Sequence, residues 1–182
     1  TAPQNITVAE DGVNGTTDIV VGDVETAASS LAVTVLESSN TSLIAITDVT
    51  VTKGTDGART ITVNPKDNQN GESTITLQVD DLTLGKTTIT FVVTVTAVND
   101  DPVADDKTLN IAEDANTQTI TKASVAHDVD ITTNADVLTL TITGAASHGT
   151  ATIDGSGNIT YKPLAHFNGT DTFEYTVTDT LG

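Results

Sequence analysis

Residues 86–98 read KTTITFVVTVTAV and alternate between apolar and polar side chains along almost their whole length. The odd positions hold Ile89, Phe91, Val93, Val95 and Ala97, and most even positions hold Thr. Because successive side chains of a β-strand point to opposite faces of a sheet, this pattern predicts a strand with one buried and one wet face. The segment therefore indicates a β-sheet with a core on one side.

The same period of two recurs along the chain, and no helical period accompanies it. Turn signals of the Asn-Gly and Asp-Gly type separate the runs, for example at Asn70-Gly71 and Asp154-Gly155. The runs lie at 31–37, 58–63, 73–79, 138–143, 149–153, 158–162 and 171–177. Many short strands at this spacing predict antiparallel β-sandwiches.

Composition excludes several classes of function. The chain has 182 residues, 38 of them Thr, and a formal net charge of −18, which argues against binding to nucleic acid or to an anionic membrane surface. No apolar run approaches the roughly 20 residues of a membrane span, so no membrane insertion is expected. The absence of Cys excludes disulfides and Cys-based zinc sites. The first residue is Thr1 and no signal peptide precedes it, so we expect a piece of a longer protein.

Three landmarks recur in the same order about a hundred residues apart. PQNITVAED (3–11) matches PVADDKTLNIAED (102–114), GDVET (22–26) matches HDVDI (127–131), and LQVDDLTLG (77–85) matches YTVTDTLG (175–182). The repeat predicts two copies of one sandwich, 1–101 and 102–182. Residues equivalent to 86–98 do not follow the second copy, so we expect that copy to lack its last strand and to leave segment 171–178 with an open edge.

Acidic residues gather where the copies meet, in TAVNDDPVADD (96–106), and at matching loop ends of each copy. A flexible acidic linker is one interpretation. The other is a cation site, because carboxylates at i and i+2 of an extended chain share a face and repel each other unless they are neutralised. Calcium suits such a cluster, since it is a hard ion that takes 6–8 oxygen ligands. The paired acids are Glu10 and Glu113, Asp23 with Glu25 and Asp128 with Asp130, and Asp81 and Asp179.

With these motifs the chain resembles the bacterial cadherin-like (Ig-like) tandem repeats of large secreted or surface adhesins. The resemblance rests on VNDDP (98–102), the AED triplets, DVD (128–130), SHGTATIDGSGNITYKP (147–163) and FNGTDTFEYTVTD (167–179). It implies an all-β pair of Greek-key sandwiches with Ca²⁺ at their junction. The implied ligands are Glu10, Asn99 through its carbonyl, Asp100, Asp101, Asp128, Asp130 and Asp179.

The resemblance also implies further, partial sites. Asp23, Glu25 and Asp81 would form half a site toward a preceding repeat, and Glu113 would face a following one. Two departures reduce the expected number of ions below the three of a full cadherin junction. Ala97 stands where cadherins carry an acid, and Asp67 is poorly aligned with the acid of the Asp-Arg-Glu motif.

The resulting functional hypothesis is mechanical. We expect a non-enzymatic, calcium-rigidified extender of a bacterial extracellular adhesin that supports cell adhesion or biofilm attachment, secreted or on the cell surface, with neighbouring repeats as its partners. No nucleophile–base constellation accompanies the acids. The alternative is a calcium-dependent carbohydrate-binding module of a polysaccharide-degrading system, for which Tyr161 or Phe167 would have to be an exposed ring.

Overall fold

The computed structural model describes residues 1–83, 85–130 and 137–180, and nearly all of their regular structure is β-strand. The predicted all-β class is confirmed. Helical structure in these residues is limited to three 3-10 turns, Ala28–Ser30, Ile46–Asp48 and Lys122–Ser124. None of them is long or apolar enough to cross a bilayer. The chain divides into two compact units, Thr1–Val98 (unit 1) and Asn99–Gly182 (unit 2), whereas the sequence placed this boundary after Asp101.

Unit 1 contains seven strands in two sheets. The strands are β1 (Ile6–Ala9), β2 (Gly15–Val20), β3 (Ala32–Ser38), β4 (Val49–Lys53), β5 (Ala58–Val63), β6 (Gly71–Asp80) and β7 (Lys86–Thr96). One sheet has the order β1-β7-β6-β3 and the other β2-β5-β4. All pairs are antiparallel except β1 with β7, which run parallel.

The alternation in β7 fills the core of unit 1. Phe91, Val93 and Val95 are 3%, 0% and 2% exposed, and they pack with residues such as Ile61 and Ile75 between the two sheets. The prediction is wrong at Ala97, which is exposed because the strand ends at Thr96. Burial of a single side chain of this size contributes about 1.5–3 kcal/mol, so β7 is a main source of the stability of unit 1.

Unit 2 contains seven shorter strands. They are β8 (Val103–Ala104), β9 (Gln118–Ile120), β10 (Ala126–His127), β11 (Thr139–Gly144), β12 (Gly149–Ile153), β13 (Ile159–Pro163) and β14 (Glu174–Thr178). The pairings are β12-β13-β9, β11-β14 and β10-β8, all antiparallel. Its core is smaller, with buried Ile120, Val125, Leu138, Leu140 and Ile159.

Strand pairing repeats between the units. The sheet β2-β5-β4 of unit 1 corresponds to β9-β13-β12 of unit 2, and the pair β3-β6 corresponds to β11-β14. Left-handed residues also recur at matching positions, with φ of 56° at Asp11 and 58° at Asp114. The second repeat-related pair, Asn68 and His166, has φ of 55° and 59°. The internal repeat found in the sequence is therefore also a repeat of backbone conformation.

Four strands, β1, β2, β4 and β9, were absent from the predicted runs. Strand β2 shows why, because its inward positions are Gly15, Thr17 and Ile19. Thr17 is buried at 8% exposure and its hydroxyl accepts a hydrogen bond from the Gln4 backbone N–H. A Thr that faces inward hides the apolar–polar alternation on which the prediction depends.

Candidate functional site

Five of the predicted ligands lie together within unit 2. Asn99 and Asp100 precede β8, Asp128 and Asp130 follow β10, and Asp179 follows β14. The Asn99 side-chain amide donates to Asp179 Oδ2 at 2.7 Å, and the Asp100 backbone N–H donates to Asp130 Oδ2 at 2.7 Å. We call these five residues the acidic corner. Its hydrogen bonds fasten the start of unit 2 to two distant loops.

The Asp128–Asp130 segment is a turn rather than the extended chain that the sequence interpretation assumed. The Asp130 backbone N–H donates to Asp128 Oδ1 at 2.7 Å, as in an Asx turn. The repeat-related segment of unit 1 has the same contact, from the Glu25 N–H to Asp23 Oδ1 at 2.9 Å. The two carboxylates of each pair are thus set apart by a local turn and not by strand geometry.

The acidic corner contains oxygen atoms with unused acceptor capacity. Asp130 is buried at 1% exposure, and Asn99 and Asp128 are half-buried. Asn99 Oδ1 and Asp128 Oδ2 are both buried and accept no hydrogen bond within the described residues. A buried oxygen without a donor is costly, so these two atoms are where a cation would be favoured.

Counter-charges in unit 2 are few. Its sequence contains Lys107, Lys122 and Lys162 and no Arg. Lys122 Nζ donates to the Leu138 carbonyl at 2.8 Å, and Lys162 Nζ donates to the Ala115 carbonyl at 3.2 Å. Two of the three lysines are therefore bonded to main-chain oxygens.

An all-oxygen donor set of this kind fits calcium by chemistry. The side chains nevertheless do not converge as they stand, since no group of three His, Asp or Glu residues in segments 1–83, 85–130 and 137–180 is arranged to hold a metal ion. The carboxylates of Asp130 and Asp179 face neighbouring donors. A bound ion would require them to turn toward the unused oxygens of Asn99 and Asp128.

Two other predicted junction ligands lie elsewhere. Asp101 is exposed, next to the corner in sequence. Glu10 belongs to unit 1 and is only 2% exposed. Its Oε1 accepts from the Val98 backbone N–H at 2.9 Å and from the Asn70 side-chain amide at 3.4 Å, while Oε2 is buried without a donor in the described residues. Glu10 thereby holds the segment that follows β7.

The predicted half-site of unit 1 is brought together only in part. Asp23 and Asp81 line one cavity of about 200 Å³, whereas Glu25 is exposed. Asp23 Oδ1 also accepts from the Thr26 N–H at 2.7 Å, and Asp81 Oδ1 accepts from the Thr83 N–H at 2.8 Å. Both carboxylates thus organise loops at one end of unit 1.

Glu113 is exposed, and its neighbour Asp114 makes the contacts that sequence reasoning missed. Asp114 Oδ1 accepts from the His166 backbone N–H at 2.8 Å, and Asp11 Oδ1 accepts in the same way from the Asn68 N–H at 2.9 Å. The signal was present in the sequence, because Asp ends both AED triplets. These aspartates join two loops in each unit.

A second missed residue is Asp171, whose side chain is 7% exposed. Its carboxylate accepts from the backbone N–H groups of Ser147, His148 and Thr172 and from the Tyr161 hydroxyl at 2.8 Å. Burial acts to raise its pKa, but these hydrogen bonds outweigh burial and bring the pKa below 3.8. Burial, the bond to Asp171 and its negative charge raise the pKa of Tyr161 to about 12.

These contacts decide the two rings considered for carbohydrate binding. Tyr161 is 7% exposed, and its ring packs against Phe173 at a centroid distance of 5.8 Å. It is therefore a core residue and not an exposed platform. Phe167 is half-buried and stacks on the His148 ring at 4.2 Å.

Comparison with known families places a recognised domain type on unit 2. Residues 99–182 match the bacterial Ig domain family Big_9. None of the curated proteins matches the sequence.

Several solved structures are similar to the chain at low sequence identity. An endo-fucoidan hydrolase from glycoside hydrolase family 107 aligns with 98% of this chain and 27% of its own, at 17% identity and a TM-score of 0.43. The N-terminal Ig1-2 module of the Drosophila receptor protein tyrosine phosphatase DLAR aligns over 98% and 88%, at 10% identity and a TM-score of 0.40. The human desmocollin-1 ectodomain aligns over 98% and 41%, at 14% identity and a TM-score of 0.37. The chain spans about a quarter of the hydrolase, and at these values the likenesses carry no functional inference.

Proposed function

We propose that the chain is a calcium-stiffened extender segment of a bacterial extracellular adhesin. The observation that carries the proposal is the acidic corner, where side chains from two distant loops hold the first residues of unit 2. Asp130 and Asp179 accept hydrogen bonds from Asp100 and Asn99. Whatever changes the charge of this corner changes how firmly the connecting segment is held.

Calcium is the proposed ligand because the corner offers only oxygen donors and has two buried oxygens, on Asn99 and Asp128, that lack hydrogen bonds. When bound, the ion would supply positive charge to side chains that otherwise repel. The residues that would hold it are the five of the acidic corner, and Asp101 is close enough in sequence to join them. That Glu10 contributes to the same ion from unit 1 stays a prediction.

The hydrogen bonds already made within the corner set the expected affinity. Each carboxylate that turns toward an ion gives up a charge-assisted hydrogen bond, worth about 1.5–3 kcal/mol. Binding should therefore be weak, in the range of about 10⁻⁴–10⁻³ M that extracellular calcium modules show. Such a site would be filled outside a cell and empty in cytosol.

Calorimetric titration of calcium into the full chain tests this proposal. Asp128→Asn keeps the oxygen that accepts the turn hydrogen bond and removes the charge, so it should weaken binding about tenfold without unfolding unit 2. Asp154→Asn is the matched control, because Asp154 Oδ1 also accepts turn N–H groups, from Ser156 at 2.8 Å and Asn158 at 2.9 Å. Equal binding in both variants, or no binding by the wild type, would contradict the calcium site.

Stiffening is tested separately by small-angle X-ray scattering. With calcium the maximum dimension should increase and sharpen relative to a chelator, and Asp128→Asn should remove the difference. Calcium binding without any change in dimension would leave the site intact and refute the mechanical role.

The carbohydrate-binding alternative is weakened by the burial of Tyr161. It now depends on Phe167, which is half-buried against His148. A sugar platform needs a ring face in water.

A further inference from the structure

A long groove opens beside β14 in unit 2. Its volume is about 860 Å³, and it lies between segment 106–113 and residues 167–175. Apolar side chains line it, among them Leu109, Ile111, Phe173 and Tyr175. Leu109 and Ile111 are 39% and 36% exposed, which is high for side chains that alternate as in a strand.

In unit 1 the equivalent space is filled by a strand. Strand β7 lies between β1 and β6, parallel to the first and antiparallel to the second. The repeat aligns Ile6 of β1 with Leu109, and Ile6 is only 5% exposed. It aligns Ile75 and Leu77 of β6, both 0% exposed, with residues 173 and 175, which are only partly buried.

The backbone around the groove is open in the same way. Within residues 99–130 and 137–180, β14 pairs with β11 along one edge and no strand pairs with the other. Segment 108–111, which corresponds to β1, forms no strand. An unpaired edge next to an apolar groove is a template for an added strand, because main-chain hydrogen bonds give affinity and side-chain pockets give specificity.

We propose that this groove binds an extended strand of a partner polypeptide that carries apolar side chains at alternate positions, as β7 does. The strand runs antiparallel to β14 and parallel to segment 108–111. In unit 1, Phe91 lies opposite Ile75 and Ile89 opposite Leu77. The repeat therefore places two apolar residues of the partner, spaced i and i+2, opposite Tyr175 and Phe173.

The rim of the groove adds a preference for charge. Carboxylates of Asp106, Glu113 and Asp171 line it, against one cation, Lys107. A partner strand with a basic residue at its end is favoured over an acidic one, since like charges opposite each other destabilise paired strands. Strand β7 itself begins with Lys86, whose Nζ lies 3.0 Å from Asp80 Oδ2.

A synthetic peptide with the sequence of residues 86–98 is the probe, titrated into the full chain. The peptide contains no Tyr or Trp, and both tyrosines of the protein, Tyr161 and Tyr175, line the groove. Tyrosine fluorescence therefore reports this site alone. We expect a saturable change and slower hydrogen exchange along β14, and neither effect with a control peptide that has Asp in place of Phe91 and Val93.

A matched pair of variants separates groove binding from loose association. Leu109→Glu places a charge in the groove and should weaken peptide binding about tenfold or more. Leu164→Glu is the control, because Leu164 is also exposed, at 55%, and does not line the groove. Absence of binding, or equal binding by both variants, overturns the proposal. Concentration-dependent dimers without peptide, lost in Leu109→Glu, would assign the groove to a second copy instead and would also overturn it.

Discussion

Asp171→Ala is expected to destabilise unit 2 strongly, because one carboxylate serves four donors. Asp171 Oδ1 accepts from the N–H groups of Ser147 and Thr172, each at 3.0 Å. Its Oδ2 accepts from the His148 N–H at 2.9 Å and the Tyr161 hydroxyl at 2.8 Å. These bonds connect the segment before β12, the middle of β13 and the segment before β14.

The magnitude follows from how each donor fares once the carboxylate is gone. The Tyr161 hydroxyl is buried and loses its acceptor, which costs about 1–3 kcal/mol. The three backbone N–H groups lie at exposed positions where water replaces the carboxylate, at a net cost of about 0.5 kcal/mol each. Relief of the buried charge offsets part of this sum. We expect a loss of about 2–4 kcal/mol in the free energy of unfolding of unit 2.

Urea denaturation followed by tyrosine fluorescence measures this loss in unit 2 alone. Both tyrosines, Tyr161 and Tyr175, lie in this unit, and the chain contains no Trp. In a double-mutant cycle, Tyr161→Phe removes the donor and should cost about 1 kcal/mol by itself. Because Tyr161→Phe leaves nothing unsatisfied for Asp171→Ala to expose, the double variant should be about 1–2 kcal/mol more stable than the sum of the two losses predicts.

The control is Asp106→Ala, which removes an exposed charge from the same unit and should stay within about 0.5 kcal/mol of the wild type. If Asp171→Ala also stays within that range, or if the cycle gives additive losses, the carboxylate does not connect these segments as described. The reasoning on buried hydrogen bonds would then be refuted for this unit.

Three further results are expected. The lowered pKa of Asp171 adds stability that is present above its unfolded pKa and lost as pH falls through its folded pKa, so the stability difference between wild type and Asp171→Asn should be constant from pH 5 to 7 and shrink below about pH 4 in urea titrations. Glu10→Ala should destabilise unit 1 by about 2–4 kcal/mol in calorimetry, because it strips buried donors of their acceptor, whereas Glu113→Ala at the exposed equivalent position should cost less than about 0.5 kcal/mol; similar losses would show that burial does not distinguish the two. Phe167→Ala should lower the melting temperature of unit 2 by removing the His148 stack and leave retention on polysaccharide columns unchanged, and lost retention at unchanged stability would favour the carbohydrate-binding alternative.

Local patterns in the sequence were enough to predict several strands. The runs at 58–63 and 149–153 coincide with β5 and β12, because apolar side chains alternate there without interruption. The pattern failed at β2, where Thr17 faces the interior, and at Ala97, beyond the end of β7. Alternation reports which side chains prefer burial, and it does not report where the main-chain hydrogen bonds stop.

The sequence by itself determined the all-β class, the internal repeat and the list of acidic candidates, since each of these depends on residue type and spacing along the chain. Only the tertiary structure decided which acids are equivalent in environment. Glu10 and Glu113 occupy matching positions in the repeat, yet Glu10 is buried against the N–H of Val98 and Glu113 is exposed. Asp171 could not be recognised in the sequence, because its four donors come from segments up to 24 residues away. Burial and hydrogen bonding of a carboxylate are set by which strands pack around it, and that packing is a property of the whole unit and not of the local sequence.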